Sequence, residues 1–161
     1  MLKVLRTSLP IILMLLFVAP FAGRAALADD AGNVKTVQGL YEAFGKGDVA
    51  GLVAGVADDV RWEVVGRPSD CPCLGVRNGK AGVEDFFKTL GSLYDVTEFA
   101  PKDFYPSGDK VFVLGHYAET NKATKKAFES DFVHVFTYKN GKVSAFQEYS
   151  DTAKEAEANR N

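Results

Sequence analysis

Two histidines and two cysteines are all that 161 residues offer in imidazole or thiol ligands, and one tryptophan stands among 12 phenylalanines and 6 tyrosines. No HExxH, CxxC, P-loop or GxGxxG spacing occurs, which removes the zinc, dithiol and nucleotide chemistries those motifs carry. Positive charge is also short. With 19 Lys and Arg against 21 Asp and Glu, a formal charge of −2 and no basic stripe, nucleic acid is not an expected partner.

Both cysteines fall in Cys71-Pro72-Cys73. A bridge between residues so close closes a small strained ring, and its short loop gains little denatured-state entropy. Two unpaired loop thiols, a strained bridge and a link between molecules all stay open. No histidine stands near enough to complete a metal set, so no metal and no cofactor are expected.

Long apolar runs are limited to one, Leu9 to Phe21, preceded by Lys3 and Arg6. It is too short for a stable membrane-spanning helix, and Pro10, Pro20 and Gly23 disfavour an uncleaved anchor, the alternative reading. Ala26-Leu27-Ala28 supplies a small-x-small cleavage site before Asp29-Asp30. Residues 1–28 are therefore expected to be a signal peptide, and the product a secreted or periplasmic protein with no membrane attachment. Loss of Lys3, Arg6 and Arg24 takes the formal charge from −2 to −5. The rest has room for one domain.

Within it, Val34, Val37, Leu40, Tyr41 and Phe44 recur at helical spacing until Gly45 and Gly47. Asp48 can cap a second helix carrying Val49, Leu52, Val53 and Val56 on one stripe. Val83, Phe86, Phe87, Leu90 and Leu93 line a third. Between them Val60, Trp62 and Val64 alternate with charged residues as a short strand, and residues 66–79 read as a loop at a pocket rim. From Tyr94 the period becomes two, with strands near 96–105, 111–120, 127–138 and 143–150. Phe132-Val133-His134-Val135-Phe136 reads as a central strand covered on both faces. Residues 153–161 read as a polar, frayed tail. Helices first and hairpin-linked strands afterwards argue for an α+β fold.

Several stretches carry a resemblance: Tyr41-Glu42-Ala43-Phe44 before Gly47-Asp48, Ala57-Asp58-Asp59-Val60 with Trp62, Phe132 to Phe136 running into Asn140-Gly141-Lys142-Val143, and Glu148-Tyr149-Ser150-Asp151-Thr152. In element order and wording, residues 29–152 resemble the nuclear transport factor 2-like, cystatin-like superfamily and its ketosteroid isomerase and SnoaL-like branches. The resemblance implies a cone-shaped, mainly antiparallel curved sheet wrapped around a pocket, with three helices in the N-terminal half. On the ketosteroid isomerase pattern, Val64 stands at the base, Leu40 at the tyrosine with Tyr41 beside it, and His134 at the protonated acid. Similarity to SnoaL-like cyclases implies instead an acid-base pair of His134 and Glu148, with glutamate where those cyclases carry aspartate.

Whether these two side chains meet depends on the hairpin between them. A two-residue Asn140-Gly141 loop puts Glu148 opposite Val133, on the wrong face. A three-residue Lys139-Asn140-Gly141 loop with a Gly141 bulge sets His134 against Phe146 and Glu148 against Phe132, all on one face. The second is preferred because it clusters the aromatics.

Two meanings remain for each candidate. His134 and Glu148 are a satisfied structural pair or a working acid-base pair. Trp62 is core or a ligand platform, and Tyr41, Phe86, Phe132 and Phe146 are its companions around a pocket for a small apolar molecule. The expected function is cofactor-free acid-base catalysis of isomerase, cyclase or lyase type on an apolar carbonyl compound. The alternative is a ligand-binding or homodimerisation domain without turnover, and a homodimer is the expected assembly.

Overall fold

The computed structural model describes residues 22–160, with side chains described from residue 30. Most of the expected signal peptide, up to residue 21, lies outside the described residues. Helix α1 (Ala22–Gly45) runs past Ala28 without a break, so its first turns belong to the expected leader. It stops where Gly47 turns the chain at φ 69°, a left-handed conformation that costs glycine little. Asp48 then caps α2 (Val49–Ala54), its carboxylate accepting a 2.8 Å hydrogen bond from the Gly51 N–H. No helix of the described residues is long and apolar enough to cross a membrane.

Strand β1 (Val56–Val64) begins earlier than the Val60 expected from alternation. The loop expected over residues 66–79 contains a strand, β2 (Gly75–Asn78), antiparallel to β1 with Trp62 opposite Arg77. Its four residues hold a single apolar side chain, Val76, too little for a period to be read. Helix α3 (Gly79–Leu93) buries Val83 and Phe86. Four long strands follow: β3 (Tyr94–Ser107), β4 (Lys110–Asn121), β5 (Ala127–Lys139) and β6 (Lys142–Tyr149). They join one curved, unclosed sheet in the order β2-β1-β6-β5-β4-β3, antiparallel except for β1 against β6.

Strand β5 is central but covered on one face only. Phe132, His134 and Phe136 are buried, whereas Val133 is 37% exposed, so the expectation of two covered faces is corrected. The frayed tail is corrected as well. Residues Thr152–Asn159 form helix α4, capped by Asp151 and burying Glu155, Ala156 and Ala158. It is fastened by hydrogen bonds from Asn121 Nδ2 to Asn159 Oδ1 (2.7 Å) and from Thr124 Oγ1 to the Ala158 carbonyl (2.7 Å). This helix of polar letters docks because Thr152, Glu155, Ala156 and Asn159, at i, i+3, i+4 and i+7, share its inward side.

Candidate functional site

The β5–β6 hairpin sets the site. Asn140 and Gly141 have φ of 53° and 75°, and Lys139 pairs with Lys142 across them, a two-residue I′-type turn. The three-residue loop is therefore corrected. The register does not stay there, because it shifts between Thr137↔Ala145 and Tyr138↔Val143. Ser144 is the extra residue, and its hydroxyl donates to the Thr137 carbonyl at 3.2 Å. That bulge turns the rest of β6 over. His134 stands directly opposite Glu148, by a route that neither simple loop supplies.

His134 Nε2 lies 3.2 Å from Glu148 Oε2, and its Nδ1 lies 2.9 Å from the Tyr41 hydroxyl. Both contacts are satisfied when Nε2–H donates to the carboxylate and Nδ1 accepts from Tyr41. Burial, reinforced by the negative charge of Glu148, pushes the Tyr41 phenol far above its ordinary range. It stays protonated and can only donate or accept, not ionise. Leu40, one residue before it, is buried core, so α1 turns Tyr41 toward the sheet.

Around this chain lies a cavity of about 80 Å³, room for a few waters or a small organic group. Tyr41, Trp62, Phe86 and Phe146 line it together with His134 and Glu148. Trp62 stacks on Phe146, ring centres 3.9 Å apart, and its buried Nε1–H has no hydrogen-bond partner among the described residues. Phe132 is not among the lining residues. It packs against His134 instead, 4.0 Å between ring centres and 22° between planes, and so fixes the imidazole rather than a ligand. Gly115 makes that possible, since a Cβ there would collide with the Phe132 ring and stand 2.7 Å from the Ala100 carbonyl. Val64 also lines the cavity but carries no base. A wider open depression of about 750 Å³ between α1 and β3 shares Tyr41, Phe44 and Phe99 with the inner cavity.

Two cavity carboxyls escape a reading of the sequence. Glu119, on β4, and Glu155, on α4, are 8% and 4% exposed and both line the cavity. Burial first, then the charges of Glu148 and Glu155, push Glu119 up to about 8. Burial and then Glu148 push Glu155 up to about 7, against a hydrogen bond from Tyr94. Strand parity could have found Glu119, which follows Val111, Val113 and Tyr117 on the buried side of β4. Glu155 had no comparable signal, because the helix carrying it reads as a polar tail.

Cys71 and Cys73 are joined as a disulfide, the bridge left open above. The Cys73 sulfur lies 2.9 Å from Glu155 Oε1. Cys71, Cys73 and Glu155 are the group of described residues with metal-ligand spacing, but bonded sulfurs have no thiolate to offer. Outside the cavity, His116 Nδ1 lies 3.0 Å from Asp131 Oδ1 on the exposed face.

Comparisons with known proteins agree with this architecture. An NTF2-like protein from Burkholderia xenovorans LB400 is 30% identical, with a TM-score of 0.74 over 81% of this chain and 98% of that one. An NTF2-like protein of unknown function from Burkholderia pseudomallei K96243 is 31% identical, with a TM-score of 0.72 over 79% and 96%. TerC, co-crystallised with polyporic acid, is 25% identical, with a TM-score of 0.71 over 79% and 97%. No curated protein matches. The SnoaL-like domain family matches residues 37–146, which span α1 to β6 and hold His134, so the chain is a small-molecule pocket protein that belongs to the SnoaL-like family.

Proposed function

We propose that this SnoaL-like protein is exported and transfers a proton on a small, largely apolar carbonyl compound, with Glu148 and His134 as the acid-base pair. The observation that carries this reading is the Tyr41–His134–Glu148 chain set against an aromatic-lined cavity. Tyr41 fixes the imidazole tautomer, and His134 Nε2–H aims and holds the carboxylate. Glu148 takes a proton from the carbon beside the carbonyl, so that the C–H bond breaks, an O–H bond forms on the carboxyl and the electron pair moves to the carbonyl oxygen as an enolate. Return of that proton to another carbon completes an isomerisation; attack of the enolate carbon on a second carbonyl, whose oxygen takes the proton back from Glu148 as its π bond breaks, would complete a cyclisation. The likeness to TerC, co-crystallised with polyporic acid, supports an organic ligand for this chain. Export is supported by residues 1–28.

The test is deuterium exchange beside the carbonyl of small cyclic ketones in D2O, followed by NMR. Wild type should exchange faster than buffer, and Glu148→Gln should lose about 10²- to 10⁴-fold of that acceleration. Unchanged exchange per folded Glu148→Gln molecule would overturn the reading. A second reading, a homodimerisation domain, is favoured by one observation. Leu114, Val133 and Tyr149 are 41%, 37% and 45% exposed and form one row across β4, β5 and β6, an apolar stripe suited to a second copy.

A further inference from the structure

The cavity is short of positive charge. Three carboxyls, Glu119, Glu148 and Glu155, line it, and none of the described residues that line it is Lys or Arg. Glu148 is answered by His134 at 3.2 Å, and Glu155 receives the Tyr94 hydroxyl at 3.2 Å. Glu119 has no hydrogen-bond partner among the described residues, although it is more than nine-tenths buried and borders the cavity. The same cavity is lined by Trp62, Phe86 and Phe87. Trp62 lies 5.8 Å from Phe86 and 5.7 Å from Phe87, centre to centre, and its Nε1–H, without a partner among the described residues, is buried with them.

We propose that the cavity binds a small organic cation, a quaternary ammonium, with its charge set by Glu119 and Glu155 and its methyl groups against Trp62, Phe86 and Phe87. An unpaired carboxylate is costly to bury, and a permanent cation removes that cost where none of the described residues does. Aromatic faces add their own attraction for ammonium, and a methylated nitrogen asks for no hydrogen bonds from them. The proposal rests on the cavity being a ligand site, as above, but not on proton transfer. A carbonyl compound carrying an ammonium group would use both ends of it.

Protons and the cation compete for the same carboxyls. Burial and the neighbouring carboxylates push Glu119 up to about 8 and Glu155 up to about 7. Facing them are Glu148 and His134, already paired, and Tyr41, Tyr94 and Tyr117, whose burial pushes their phenols above the ordinary range. Cation binding should therefore tighten as pH rises and release protons.

Tetramethylammonium chloride and tert-butanol, alike in size and different in charge, are the probes, titrated into the protein by NMR at constant ionic strength. The expected result is tetramethylammonium binding about 10-fold or more tighter than tert-butanol, with its affinity rising from about pH 6 to about pH 9. Glu119→Gln should lose about 10-fold in cation affinity and leave tert-butanol unchanged. Equal affinities for the two probes, no cation binding up to on the order of 100 mM, or an unchanged cation affinity in folded Glu119→Gln would each overturn the proposal. Should Glu119→Gln fail to fold, the wild-type ratio of the two probes and its pH slope decide alone. Cation binding without ketone exchange would leave this proposal standing and remove the catalytic one; exchange without cation selectivity would do the reverse.

Discussion

At the level of single residues, Glu119 makes stability depend on pH in an unusual direction. A carboxyl pushed up to about 8 by burial and by Glu148 and Glu155 holds its proton more tightly folded than unfolded, where a glutamate titrates at about 4.3. Its stabilising contribution is thus complete below the unfolded value and is lost as pH rises through the folded one. Glu155 adds to this in the same direction. The melting temperature should fall between about pH 5 and about pH 9, and Glu119→Gln should flatten that fall and add roughly 1–3 kcal/mol at the alkaline end. Thermal denaturation across that range checks it; an identical slope in the variant would contradict it. His134 and Glu148 were legible from the sequence through the family resemblance and the clustering of aromatics around them, although the turn that joins their strands would by itself have set them on opposite faces. Glu119 obeyed strand parity, yet a charged letter near a strand end reads as solvated unless its inward neighbours are followed. Trp62 and Phe86 could be named without their arrangement. That Phe132 braces His134 depends on Gly115, a contact between strands that no local pattern expresses.

Helix α4 is the element whose role is least visible in its letters. Its N-cap Asp151 accepts from the Lys154 N–H at 3.3 Å, and Asn159 Nδ2 donates to the Glu155 carbonyl at 3.0 Å. It brings Glu155 against Tyr94 and the Cys73 sulfur. Ending the chain after Ser150 should therefore expose the fully buried Cys71 and the nearly buried Tyr94, costing roughly 2–4 kcal/mol from lost apolar burial and hydrogen bonds. Chemical denaturation of the truncated chain measures this, and an unchanged midpoint would show α4 to be dispensable. The long helices and strands were legible because period 3.6 and period 2 persist over many residues in them. Strand β2 and α4 are too short or too polar to set a period. The Ser144 bulge lacks the left-handed glycine that marks such sites, so the face shared by His134 and Glu148 was foreseen while the backbone path to it was not.

On the scale of the whole molecule, the α+β class followed from helices preceding strands, and the curved sheet from the family resemblance. The expected leader and the apolar row of Leu114, Val133 and Tyr149 concern how the molecule is processed and assembled. Native mass spectrometry of the purified exported protein reports both. The expected product starts at Asp29 and has the mass of two chains; retention of Met1 would refute the processing, and a monomer at micromolar concentration the dimer. Least visible in the sequence was the parallel contact between β1 and β6, where Trp62 meets Phe146 and Val64 meets Glu148. Its partners lie at opposite ends of the domain, so β1 and β2 cannot enter the full sheet until nearly the last strand has been made. Long-range pairing of this kind slows folding, and a chain threaded through a translocation channel must stay unfolded for as long as the passage lasts. The strand that carries Glu148 would then act as a latch: until it arrives there is neither a finished sheet nor a pocket, and under the proposed export the chain's own topology would keep it pliable during the passage.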